Sequence, residues 1–333
     1  MPATTIKHAA LLLEDYIDEN TPAMLWSAPG VGKSSIVKQS AQRRGWNLID
    51  FRAVLRDPVD LRGIPSIDGD FAKWLHPDDL PRADRDGERG IFFMDEINAA
   101  SPLMQAACFG LVLDRKVGTY ELPPGWVIVA AGNRQSDRAA AQRMPTALAN
   151  RFAHIEIEPD LESFTEWANA SGVHPLMIAF HRFREGKFLH DMKKTDAMAF
   201  PSPRSWEQAA KYAEKPASRR LHLVAGIVGD DFAAEFDGFL RTYEQLPAID
   251  QVILDPDGAK VPSEDEVAAR YAISSALASR AKSDNFQNIM RYLNRMPREF
   301  ATMVVVDACR RDPALTHTGA FIEWAKKNQD VTM

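Results

Sequence analysis

Two short stretches hold residues whose types and spacing suit phosphate chemistry. The first is SAPGVGKS at residues 27–34. Wrapping phosphate oxygens requires backbone amides that turn inward, and Gly30 and Gly32 supply the conformational freedom for it. Lys33 is placed to reach the β- and γ-phosphates of a nucleotide and the Ser34 hydroxyl to ligate Mg²⁺. The helix expected from residue 33 aims its positive end at the same anion. The position that carries the leading glycine of GxxxxGK[ST] is Ser27 here. The candidate nucleotide-binding residues are Ala28, Pro29, Gly30, Val31, Gly32, Lys33, Ser34 and Ser35. The second stretch is IFFMDE at 91–96. A buried strand that ends in two carboxylates is costly unless they hold something. Asp95 would hold Mg²⁺ through its water shell, with Ser34 as the other metal-side residue. Glu96 would polarise an attacking water, which is general-base work in a hydrolytic phosphoryl transfer. An acid in that place favours ATP hydrolysis coupled to motion over transfer to a small molecule. The blander readings are a turn before a helix and a strand ending in solvated acids; the two motifs in this order count against both.

These side chains need a scaffold that delivers strand ends to one edge. The first half supplies it by alternating helical patterns with short apolar strands, which predicts a parallel sheet covered by helices. Residues 6–19 and 33–44 read as helices, and 23–27, 46–52, 91–95, 126–131 and 153–158 as strands. Ser101 followed by Pro102 opens a helix over 101–113. After about residue 159 strand signals nearly vanish. Residues 160–171, 174–185, 203–214, 217–246, 264–282, 285–294, 297–310 and 314–327 favour helix, and 247–262 reads as an irregular insertion. Ser202–Pro203 and a Ser263/Glu266 capping box mark two of the starts.

At this point the residues resemble the AAA+ ATPases, and within them the MoxR family, over about residues 5–210. The run DEINAASPLMQAACFGLVLDRKVGTYELPPGWVIVAAGN (95–133) is similar to the family's stretch from acidic pair to polar sensor strand. The run DPVDLRGIPSIDGDFAKWLHPDDL (57–80) is similar to its insertion within the second helix, with Gly63, Gly69, Phe71 and Trp74 in the expected places. The resemblance implies a P-loop α/β core over 1–158 with sheet order 5-1-4-3-2, then an all-helical lid and extension over 159–333. It implies ATP and Mg²⁺ as ligands and a homo-oligomeric, usually hexameric, ring. Asn133 matches the first sensor, Arg151 in ALANRF (147–152) the arginine finger that reaches a neighbouring subunit's nucleotide, and Arg204 in PSPRSWEQ (201–208) the second sensor. Arg143 and Arg138 stand close enough to share the finger role or take it. The sensor reads GNR where the family more often has QNP.

Length and composition fit this frame. The chain has 333 residues, enough for two domains, with 45% hydrophobic and 26% charged residues, so a packed core is expected. A net charge of −6 argues against a surface coated for nucleic acid. Cys108 and Cys309 have no neighbouring Cys or paired His, which excludes a disulfide scaffold and fits a reducing compartment. No apolar run approaches the roughly 20 residues that span a bilayer, and Glu14 and Asp15 interrupt the N-terminal one. A cytoplasmic protein without a membrane partner is expected. No His pair has metal-ligand spacing, and His174 and His181 read as structural residues on one helix. Two hairpin candidates, one around Asp68–Gly69 and one over 114–125 turning near Gly118, carry Phe71, Lys73 and Trp74, and Arg115, Lys116 and Tyr120.

Three functions follow in order of support. The first is a MoxR-type ATPase that remodels or activates a protein, for which the resemblance implies a von Willebrand factor A-domain partner. The second is a nucleic-acid motor or loader, resting on Arg115 and Lys116. The third is a nucleotide-gated assembly scaffold without turnover, which the Asp95–Glu96 pair argues against.

Overall fold

The structure, a computed structural model, describes residues 2–137, 142–192 and 198–329. The chain divides into two compact units, Met1–Pro159 and Asp160–Met333.

The first unit is built on a six-stranded parallel sheet. Its strands are β1 (Thr4–Thr5), β2 (Ala23–Trp26), β3 (Asn47–Arg52), β6 (Arg89–Asp95), β9 (Gly125–Gly132) and β10 (Ala153–Glu158), in the order β1-β10-β2-β9-β6-β3. Counting only the five longer strands along the chain, this is the expected 5-1-4-3-2. The short edge strand β1 is an addition that sequence reading did not find. The inner strands are apolar on both faces: Ile91, Phe92, Phe93 and Met94 are fully buried, as are Trp126, Val129, Ala130 and Ala131. That is the signature of parallel strands covered on both sides. Register places Trp26 beside Gly132, and Met94 beside Ala130. The C-terminal ends of β2, β6 and β9 therefore open onto one edge, where the residues that follow them can meet.

The helices of this unit are α1 (Ile6–Asp18), α2 (Lys33–Arg44), α3 (Val59–Arg62), α4 (Ala83–Asp86), α5 (Pro102–Asp114) and α6 (Thr146–Ala149). Thr5 caps α1 and Ser101 caps α5, each accepting a backbone amide. Two antiparallel hairpins project from it: β4 (Ile64–Asp68) with β5 (Phe71–Leu75), and β7 (Lys116–Val117) with β8 (Tyr120–Glu121).

Among the described residues the second unit is helical: α7 (Leu161–Ala170), α8 (Pro175–Phe183), α9 (Pro203–Ala210), α10 (Ala217–Val228), α11 (Asp230–Glu244), α12 (Ile249–Leu254), α13 (Val267–Arg280), α14 (Phe286–Leu293), α15 (Arg298–Arg311) and α16 (Gly319–Lys327). Several expectations need correction. The helix read over 217–246 is two helices, broken at Gly229, whose φ of +91° a residue with a side chain rarely adopts. The stretch read as irregular contains α12, whose Ile249 and Val252 are buried. Ser263 does not cap α13. Its hydroxyl donates to the Glu266 carboxylate instead of accepting an amide, and the helix starts after Glu266. The last helix is preceded by a separate 3₁₀ turn, Pro313–His317, and starts at the Thr318 cap. His174 is the N-cap of α8, so only His181 lies within that helix.

Candidate active site

The loop between β2 and α2 is shaped by its glycines. Gly30 has φ +79° and Gly32 φ +122°, and a Cβ on Gly32 would come within 2.7 Å of the Ile6 side chain. No side chain caps α2. Among the described residues, the amides of Gly30, Val31, Gly32 and Ser34 donate to no acceptor, while Ser35 and Ile36 already bond back to the Gly32 carbonyl at 3.0 and 3.2 Å. A helix N-terminus with amides left open and a positive dipole end suits a phosphate group. The residues present therefore fit a nucleotide's phosphates.

The side chains around this loop converge. The Lys33 ammonium donates to Asn133 Oδ1 at 2.9 Å, to the Ser27 carbonyl at 3.0 Å and to Ser27 Oγ at 3.1 Å, with the Ala28 carbonyl at 3.4 Å. The Ser34 hydroxyl donates to Asp95 Oδ2 at 2.9 Å, across from the end of β6. These two oxygens are hard donors of the kind Mg²⁺ takes. The other Asp95 oxygen accepts the Glu96 amide at 3.0 Å. Glu96 sits in the left-handed region, φ +56°, which is uncommon for a residue with a side chain. Its carboxylate is exposed and has no hydrogen bond or ion pair among the described residues.

Three residues that sequence reading missed organise this cluster. Asn98 is buried, donates to the Asn133 carbonyl at 2.7 Å and accepts the Asn133 amide at 3.3 Å. A Cβ at Gly132 would overlap the Asn98 carboxamide, so the glycine lets the two segments close. The only sequence signal was an amide side chain three residues past Asp95. Arg134 is paired with Asp137 at 2.9 Å, with Glu156 at 2.9 Å and with Glu158 at 3.3 Å. The Asp137 hydrogen bond comes first among the causes that raise its pKa further. His154 accepts from Trp26 Nε1 through Nδ1 at 2.9 Å. Indole is a donor only, so the proton of the neutral ring is on Nε2, which donates to the Ala149 carbonyl at 2.9 Å. This ties the strand entering the loop to the helix that precedes Arg151.

No protein-family model and no curated protein matches the chain. Among solved structures, it is similar to NtrX from Brucella abortus in complex with ADP, at 13% identity, covering 99% of this chain and 70% of that one, with a TM-score of 0.41. It is also similar to a point mutant of Thermotoga maritima RuvB, at 16% identity, covering 87% of this chain and 85% of that one, with a TM-score of 0.41. At these values the likeness assigns no residue and no activity.

Among the described residues of the first unit, neither Arg143 nor Arg151 shares a hydrogen bond or ion pair with the cluster. Arg151 and Arg143 are exposed, and their guanidiniums make no hydrogen bond or ion pair among the described residues. Arg138 lies outside the described residues. Arg204 is exposed in the first turn of α9, in the second unit. No helix among the described residues is long and apolar enough to cross a membrane.

Proposed function

We propose that the chain is an ATPase of the AAA+ class and MoxR type, binding Mg-ATP and hydrolysing it to ADP and phosphate. One observation carries the reading. Lys33, Ser34, Asp95 and Asn133 come from three separate segments and form a hydrogen-bonded cluster beside a glycine-shaped helix N-terminus. Residues 28–35 would hold the phosphates through their amides and Lys33. Mg²⁺, held by Ser34 and Asp95, would supply charge neutralisation at the phosphate oxygens. Glu96, whose carboxylate is free to meet a water, would accept its proton as it attacks the γ-phosphorus. Asn133 would orient that water or the γ-phosphate. Arg151 would reach the nucleotide of a neighbouring protomer, which makes a ring, hexameric in this reading, part of the mechanism. Arg204 would serve as the second sensor from the helical unit. Residues 1–158 would thus be the motor, and 159–333 the lid and the surface that meets a protein client or a von Willebrand factor A-domain partner in the cytoplasm.

The nucleic-acid reading keeps little of its support. The Arg115 guanidinium donates to the carbonyls of Pro123 at 2.8 Å and Trp126 at 2.6 Å, and Lys116 pairs with Glu121 at 3.3 Å. Arg115, at the end of α5, ties the segment leading into β9, and Lys116 pairs across its own hairpin.

The test uses the full chain and Glu96→Gln. The wild type should release phosphate from Mg-ATP. The variant should bind ATP as before and turn over about 10²–10⁴-fold more slowly, the usual range for a lost general base. Turnover at the wild-type rate would overturn the role given to Glu96, and a wild type that neither binds nor hydrolyses ATP would overturn the whole reading.

A further inference from the structure

The residue that departs from the phosphate-loop pattern is also the one that holds its lysine. Ser27 is fully buried at the end of β2. Its amide reaches the Gly132 carbonyl at 3.4 Å, so it continues the pairing of β2 with β9 and stands beside Asn133. Its hydroxyl proton goes to the Ala28 carbonyl at 2.9 Å, which leaves the Oγ lone pairs as acceptors. Lys33 uses them at 3.1 Å and uses the Ser27 carbonyl at 3.0 Å. With Asn133 Oδ1 at 2.9 Å and the Ala28 carbonyl at 3.4 Å, these acceptors are enough to engage all three protons of the ammonium group.

From this geometry we infer that Ser27 is a positioning residue whose hydroxyl latches Lys33 to the head of its own loop, so that a nucleotide phosphate must compete with that contact to recruit the ammonium. The inference rests on the proposed nucleotide site and adds a control to it. A phosphate oxygen that recruits Lys33 has to replace one of the acceptors already engaged. The carbonyl of residue 27 is present whatever the side chain; the hydroxyl acceptor is present only because residue 27 is serine. Glycine there would remove one competitor for the ammonium without changing the loop's open amides. The latch also engages Asn133, whose Oδ1 is held by the same ammonium. Movement of Lys33 toward a phosphate would release that oxygen, so the group assigned to orient the water would become available as a nucleotide binds.

The test measures ADP and AMP binding by calorimetry with the full chain, comparing wild type, Ser27→Gly and Ser27→Ala, each with and without Lys33→Ala. The alanine variant keeps a Cβ in the buried site and guards against a packing defect from glycine. Both variants should bind ADP about tenfold more tightly than wild type, the equivalent of ~1.4 kcal/mol. AMP affinity should not change, because Lys33 addresses phosphates that AMP lacks. The gain should vanish in the Lys33→Ala background. A purely structural role for Ser27 would instead shift ADP and AMP alike and persist without Lys33. Unchanged or weaker ADP binding in both serine variants, with wild type binding ADP, would overturn the latch alone. Absence of ADP binding by the wild type would overturn the nucleotide site and the latch with it.

Discussion

Two buried or half-buried cations, one in each unit, are held in different ways. In the second unit Arg220, with only 3% of its side chain exposed, is enclosed by acids: Asp237 at 2.8 Å and Glu244 at 2.6 Å. Asp237 also holds Arg241 at 2.7 Å, and Arg220 reaches the Ala213 carbonyl at 3.4 Å. That network satisfies charge with charge and joins α10 to α11. At the strand ends of the first unit Arg134 is likewise paired with acids, but the contacts of Lys33 include the neutral oxygens of Ser27, Ala28 and Asn133, and Arg143 and Arg151 have no partner among the described residues. A cation enclosed by carboxylates is part of the fold, because removing it leaves a buried charge. A cation held by neutral acceptors, or by none, is left for an anion that arrives later. The contrast separates structural charge from functional charge within one chain.

The largest effect that would break this contrast is expected at the unpartnered arginines. Arg151→Ala should lower phosphate release by about 10³-fold or more at saturating Mg-ATP, as loss of a finger supplied in trans does. Its melting temperature should stay near that of the wild type, since an exposed, unpaired side chain contributes little to stability. The measurement is turnover against thermal melting for Arg151→Ala and Arg143→Ala in parallel. A fall confined to Arg143→Ala would move the finger to that residue. Full activity in both would mean that open cations here carry no function.

The closed network should respond in the opposite way. Arg220→Met leaves Asp237 buried with one partner fewer, and a broken buried pair costs about 3–5 kcal/mol. Chemical denaturation should show a loss of that order, and Arg220→Met combined with Asp237→Leu should recover part of it. A loss below about 1 kcal/mol would mean that Arg241 alone can satisfy Asp237, and the enclosure would be less structural than its geometry indicates.

What could be read from sequence follows the same division. The strands were legible because each inner one is a short, continuous apolar run, and that pattern depends on local residues alone; their order followed only from the family resemblance. The stretch 27–34 was legible because phosphate binding demands glycine and lysine close together in sequence. The contacts of Lys33 with Asn133, and of Asn98 with Asn133, join residues 100 and 35 positions apart, and no local pattern encodes them. Glycine was ambiguous in the helical half. Gly226 and Gly238 lie inside helices while Gly229 ends one, and the difference is a φ set by packing rather than by residue type. The Ser263/Glu266 pair had the spacing of a cap, yet Glu266 takes both Ser263 donors and the helix begins one turn later. The role of Ser27 was invisible for a simpler reason. As a departure from a pattern it reads as a defect until the lysine is seen resting on it.

The smallest expected effect lies between these two kinds of charge, at a group kept from carrying one. His181 is fully buried, and neither ring nitrogen has a hydrogen-bond partner among the described residues. Phe164, Phe180 and Trp206 surround it edge-on, with ring centres 5.1, 5.3 and 4.8 Å away. Burial pushes its pKa down to about 3. The sign follows from linkage. Below about pH 6.5 the unfolded chain binds a proton that the folded chain refuses, so stability is full above that pH and declines as pH falls toward the folded value, by up to ~1.4 kcal/mol per unit. His181→Phe keeps an aromatic ring in the cage and removes the titration. Urea unfolding of both proteins at pH 7, 6, 5 and 4 should therefore give a stability difference that is small at pH 7 and grows in favour of the variant with each step down. A difference that stays constant with pH would show that the buried imidazole exchanges its proton as readily folded as unfolded, and the cage would then be open to water.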